Sequence, residues 1–204
     1  MNIYLQGLMM GLAYVAPIGL QNLFVINTAL TQNRRKAYIT ALIVIFFDIS
    51  LGLACFLGIG ALMEAVPLLQ KVILSVGSLI IIWIGIGLIR AKGEMDTSTK
   101  VDIPISKVAT SAFVVTWMNP QALIDGSMML GAIKTTLPVG TDLNFILGFT
   151  SASALWFLGI TTIISVFSAR FNDKILTWIN RICGAVIIFY GIKLFITFLQ
   201  MVLG

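Results

Sequence analysis

The chain's 204 residues are 59% hydrophobic and 10% charged, with 13 basic and 8 acidic residues, no histidine and a net charge of +5. With a mean hydropathy of +1.04, this excludes an ordinary soluble domain, in which about a quarter of residues are charged. It also excludes a nucleic-acid binder, because no soluble basic domain remains to carry the excess charge.

Six apolar stretches follow one another, at 3–30, 37–63, 68–89, 108–133, 143–166 and 175–203. Each reaches the roughly 20 residues that an α-helix needs to cross a hydrocarbon core of about 30 Å. None alternates strictly, as a lipid-facing barrel strand does. The expected fold class is an all-α polytopic membrane protein with six transmembrane helices in contact with lipid. No cleavable signal is expected, since no basic n-region precedes the first apolar run and that run exceeds a typical h-region.

The first stretch opens with Gly7 and Gly11, a GxxxG pair that serves close helix packing within one subunit or a seam in a homo-oligomer. Midway along it the chain reads Ala16-Pro17-Ile18-Gly19-Leu20-Gln21-Asn22. Proline removes a backbone donor and clashes with the preceding turn, and Gly19 loosens the same place. Gln21 and Asn22 directly after it mark the interruption as a candidate site. In the second stretch Asp48 stands between Phe47 and Ile49. An acid near the bilayer centre costs about 2.5–3.5 kcal/mol on insertion scales, so it signals function. Cys55 and Cys183 lie inside separate apolar stretches without a CxxC partner and read as small buried residues.

The longest polar interval, 91–106, is a cytoplasmic linker between two halves, 1–90 and 107–204. The second half repeats the pattern with Trp117-Met118-Asn119-Pro120-Gln121-Ala122-Leu123-Ile124-Asp125. Asn is a favoured N-cap and Pro a favoured first helical residue, so a new half-helix is expected to begin here in mid-membrane. Asp125 follows Gln121 by four residues and shares its helix face. At equal offsets from the two prolines Tyr14 matches Trp117, Leu20 matches Leu123 and Asn22 matches Asp125; Gly77 and Trp83 align with Gly184 and Tyr190 at a slightly different offset. Three spans per half, an odd number, make this an inverted 3+3 repeat with helices 1 and 4 broken.

Arg34, Arg35 and Lys36 follow the first stretch; Arg90, Lys92, Lys100 and Lys107 the third; Arg170 and Lys174 the fifth. The opposite connections hold only Lys71 and Lys134. Basic loops favour the cytoplasm, so a multi-pass protein of the cell (plasma or inner) membrane is expected, with both termini outside.

Two half-helix ends facing each other would offer positive dipole ends to an anion, and a substrate carboxylate fits. Asp125 is expected to hold the cationic end of such a substrate and Asp48 to carry the coupling proton; both are coupling candidates. The expected binding residues are Pro17, Gln21, Asn22, Asp48, Asn119, Pro120, Gln121, Asp125 and Trp156. Tyr14, Trp117, Ser151 and Ser153 could line the same cavity. No enzyme activity, cofactor or metal site is expected, and no Walker-type loop appears.

Pro17-Ile18-Gly19-Leu20-Gln21-Asn22-Leu23-Phe24, Asp48, Thr116-Trp117-Met118-Asn119-Pro120 with Asp125, and Ser153-Ala154-Leu155-Trp156-Phe157 together give the chain a resemblance to the lysine-exporter (LysE) family. Within it the chain resembles the branch that exports lysine and arginine. The resemblance implies secondary active export of an amino acid, driven by the membrane potential or a proton gradient. The chain departs from that branch where Ala16 precedes Pro17 and where Gln121 replaces a histidine. Two other readings remain at this point. One is a divalent-cation exporter using Asp48, Asp125, Asn22 and Asn119 as oxygen ligands. The other is a membrane thiol–disulfide carrier, which the positions of Cys55 and Cys183 oppose.

Overall fold

The computed structural model describes residues 2–17, 19–58, 65–90, 104–167 and 173–203. Most of the expected linker, Ile18, Gly204 and the side chains of Pro120, Gln121 and Tyr190 lie outside the described residues. Eight helices are described: α1 (Ile3–Val15), α2 (Leu20–Thr31), α3 (Arg34–Leu57), α4 (Pro67–Arg90), α5 (Ile105–Trp117), α6 (Pro120–Thr136), α7 (Asp142–Phe167) and α8 (Asp173–Leu203). The helices α3, α7 and the Arg181–Leu203 part of α8 are each long and apolar enough to cross a membrane, and α1 with α2 forms a fourth such unit, bent by 77°.

Local chemistry explains the boundaries. The Asn33 side chain accepts from the Lys36 N–H at 2.9 Å and starts α3, while Gly58, at φ 103, ends it in the left-handed conformation. Pro120 stands in the first turn of α6, behind an extended Asn119. The two interruptions fall where Pro17 and Pro120 place them.

Packing runs through two close seams. Helix α1 lies along α7 and α4 along α8, while α3 contacts α5, α6 and α7. In the first seam a Cβ on Gly7 would strike the Phe145 carbonyl, one on Gly148 the Tyr4 carbonyl, and one on Gly11 would come within 2.6 Å of the Ala152 Cβ. The GxxxG pair therefore builds an intrachain contact. In the second seam, Cβ atoms on Gly85 and Gly184 would meet each other's carbonyl oxygens at 2.9 and 2.7 Å. Lipid gives helices no hydrophobic drive to associate, so backbone approach of this kind does the holding. Large apolar side chains such as Phe46, Trp83, Leu155 and Phe189 point outward. So large an apolar exterior is rare on a soluble monomer and suits acyl chains.

Overpacking usually costs about 1–3 kcal/mol, and here the clash is with backbone that cannot give way. Gly148→Leu is expected to lower both folded yield and thermal midpoint in detergent, read by size-exclusion chromatography after heating. Nothing lies within 4 Å of a Cβ on Gly87. Gly87→Ala is therefore expected to be neutral or to stabilise by up to about 1 kcal/mol.

Candidate functional site

The first break frees backbone groups that must find partners. Helix α1 closes with the Ala16 N–H on the Leu12 carbonyl at 2.9 Å, and the chain then turns through Pro17. The Asn22 amide donates to the carbonyls of Val15 (2.9 Å) and Pro17 (2.8 Å). Its own oxygen accepts from the Trp156 indole N–H at 2.8 Å. Asn22 thus reaches back to the end of the preceding half-helix and is tied to α7 by the same side chain. Its N–H groups are both committed to structure.

Gln21, one residue earlier, faces the other way. Its amide nitrogen donates to the Asp48 carboxylate at 3.2 Å and to the Thr116 hydroxyl at 2.9 Å. The Ser153 hydroxyl donates to the second oxygen of Asp48 at 2.6 Å. Asp48 is wholly buried. Side chains from α2, α5 and α7 thus converge around one acid on α3. A buried carboxylate is tolerated only when hydrogen-bonded, and both donors seen here are neutral. Arg181 and Lys193, the basic residues of the last stretch, are exposed.

The second break meets the first in reciprocal fashion. Tyr14, just before the first break, donates to the Ala122 carbonyl just after the second at 3.1 Å. Gln21, just after the first, reaches Thr116, just before the second. The two broken helices therefore cross at their interruptions. Trp117 donates to the Ser50 hydroxyl at 3.0 Å and the Cys55 thiol contacts the Leu123 carbonyl at 3.8 Å, so α3 supports this break as well. Asn119 holds the N-cap position of α6 but its side chain makes no capping bond. Its carbonyl accepts from the Leu123 N–H at 3.2 Å, so the backbone begins the helix without side-chain help. Gly19 at the head of α2 likewise provides no side-chain cap.

Of the residues singled out from sequence, Gln21, Asn22, Asp48 and Trp156 gather around the first break and α3, and Pro17 is exposed at the bend. Asn119 and Pro120 open α6. Asp125 is exposed on α6, whereas Asp48 is wholly buried. Ser153 and Thr116 gain a direct place in that cluster. Ser153 precedes Trp156 by three residues, a spacing that puts both on one helix face and marks Ser153 from sequence alone. Cys55 and Cys183 belong to different core clusters. A groove of about 370 Å³, lined by Ile39, Leu42, Ile43, Phe46, Phe47 and Ala109, is apolar and includes none of these polar groups.

A family model described as "LysE type translocator" matches residues 12–197. The chain is 31% identical to the arginine exporter protein ArgO of Enterobacter sp. (strain 638), over 95% of this chain and 93% of that one. It is also 31% identical to the ArgO protein of Klebsiella pneumoniae (strain 342), over 94% and 92%, and 30% identical to that of Escherichia coli (strain K12), over 94% and 92%. No solved structure matches the chain.

Each buried polar group left without a partner costs about 1–3 kcal/mol, and Asn22→Leu orphans two carbonyls and an indole N–H. It is expected to lower stability by several kcal/mol in a detergent melting experiment. Asn119→Leu removes no capping bond and is expected to leave the melting temperature nearly unchanged.

Proposed function

The chain belongs to the LysE type translocator family, and from that membership we propose that it exports amino acids, with a basic amino acid, arginine foremost, as its substrate. It is a transporter and not an enzyme. The observation that carries the substrate reading is the wholly buried Asp48, one of whose oxygens is held by a side-chain N–H of Gln21. A guanidinium or ammonium offers the same kind of donor with a full positive charge, and charge-assisted bonds are roughly twice as strong as neutral ones. The substrate displaces the Gln21 amide from Asp48 and takes its place. The similar proteins of Enterobacter and Escherichia coli are arginine exporters, which supports arginine.

The binding residues are Pro17, Gln21, Asn22, Asp48, Asn119, Pro120, Gln121, Asp125 and Trp156. Asn22 and Trp156 shape the site by fixing the bend. The uncapped starts of α2 and α6 receive the substrate carboxylate. Asp48 and Asp125 are the coupling candidates, and the burial of Asp48 favours it over the exposed Asp125 for holding the cation. The driving force is the membrane potential or a proton gradient.

The protein works as six spans in an inverted repeat, with α1–α2 and α5–α6 as the two broken helices and both termini outside. The packing supports this. Span one lies on span five as span four lies on span two, and the third and sixth pair with each other. The start of α3 carries Arg34 and Arg35, and the end of α4 carries Arg90. Antiparallel passage of these two helices puts the basic groups at one membrane face. A divalent-cation site fits less well, because the Asn22 side-chain oxygen already accepts from the Trp156 indole, and no three His, Cys, Asp or Glu side chains gather among the described residues.

In inside-out vesicles offered labelled amino acids and divalent metals, with and without a pH gradient, arginine and lysine are expected to be taken up. Asp48→Asn is expected to weaken arginine binding tens- to thousands-fold, the scale of about 2–5 kcal/mol for a lost buried ion pair, and to spare the neutral analogue citrulline. Unchanged arginine affinity would move the cation to Asp125. For topology, a cysteine at Lys100 is expected to react with an impermeant reagent only in opened cells, and one at Gly204 from outside. The reverse pattern would invert the orientation.

A further inference from the structure

Two buried hydroxyls stand apart from the site just described. Thr40 on α3 and Thr161 on α7 are both buried, and the hydroxyl of each has no hydrogen-bond partner. An unsatisfied buried polar group is rare and asks for an explanation, of which internal water is the commonest.

Their positions relate them to Asp48. Ser153 bonds to Asp48, and Tyr38 bonds to Thr162 at 2.9 Å, so α3 and α7 run antiparallel between these two ties. Thr40 precedes Asp48 by eight residues and Thr161 follows Ser153 by eight, which places each pair on one face of its helix. Midway stand Val44 on α3 and Phe157 on α7, both fully buried and members of one core cluster. The α3–α7 interface is thus layered: the acid and Ser153, then an apolar pair, then the two hydroxyls. Thr40 lies only four to six residues inside the Arg34-Arg35-Lys36 start of α3, or about 6–9 Å at the helical rise.

We propose that Thr40 and Thr161 bind water at the inner end of a hydrated vestibule open at the basic face, and that the Val44–Phe157 layer is the gate separating this water from Asp48. Apolar constrictions of this kind close a polar path by dewetting. The inference rests on the export reading for its purpose, since the vestibule is then the route by which substrate or proton reaches Asp48. Its geometry does not depend on which of these passes.

The test needs no transport. In a Cys55→Ala, Cys183→Ala background, single cysteines are exposed to an impermeant trimethylammonium methanethiosulfonate from whichever face modifies Arg35→Cys. Thr40→Cys and Thr161→Cys are expected to react at least tenfold faster than Ser153→Cys, and adding Phe157→Ala to raise the Ser153→Cys rate at least tenfold. Val44→Ala serves the same purpose if Phe157→Ala does not fold. Inert cysteines at 40 and 161 beside a reactive one at 35 would overturn the vestibule. A Ser153→Cys already as fast with the layer intact, or one not accelerated by opening it, would overturn the gate. Thr161→Val provides an independent reading: removing a dry, unpaired hydroxyl raises the melting temperature, whereas removing a water-bound one does not. A protein that transports no amino acid yet gives this labelling pattern keeps the vestibule and loses the export reading.

Discussion

The bend between α1 and α2 exists because one short amide answers two carbonyls that the interrupted helix leaves behind, in surroundings where lipid answers none. Asn22 donates to Val15 and Pro17 together, and through its oxygen it is held by Trp156 of α7. A kink packed only by apolar side chains would leave those carbonyls bare. With Asn22 in place, the chain turns by 77° and α2 begins in an orientation that brings Gln21 against Asp48. The position of the buried acid's partner is therefore set by the repair of the broken backbone.

Two kinds of contact divide the work of the fold. The seams of α1 with α7 and of α4 with α8 are made by glycines that let backbones touch, and they tolerate no added side chain. The centre is held by a few polar bonds from Gln21, Ser153, Thr116 and Tyr14, each reaching to another helix. Dispersion over a long seam is hard to undo in parts. A hydrogen bond to a long, unbranched side chain such as Gln21 exchanges readily for one to a ligand. The region that must admit a solute is thus also the one whose bonds can be replaced singly.

Much of this was legible beforehand, because a membrane penalises polarity so strongly that each exception stands out. Pro17, Gln21, Asn22 and Asp48 are conspicuous for that reason, and the helices break where the prolines stand. Direction was not legible. Nothing in the spacing says that Asn22 turns back to its own chain while Gln21 turns toward Asp48, since adjacent helical residues diverge by about 100° and either could face inward. The Asn-Pro pair marked the start of α6 correctly, yet the Asn119 side chain makes no cap, whereas that of Asn33 at the start of α3 does. Thr40, Thr116 and Thr161 were hidden among many hydroxyls, most of which return to a carbonyl of their own helix. Only the packing separates those that do from those that do not.

The most direct measurement is an experimental structure of the protein in a lipid bilayer with arginine bound. The guanidinium is expected on the Asp48 carboxylate at about 2.7–2.9 Å, the range of a charge-assisted bond. The Gln21 amide should be displaced, with the bend and the Asn22 bonds to Val15 and Pro17 intact. Arginine seated elsewhere, with the Gln21–Asp48–Ser153 chain undisturbed, would contradict the assignment of Asp48 as the residue that holds the substrate's charge.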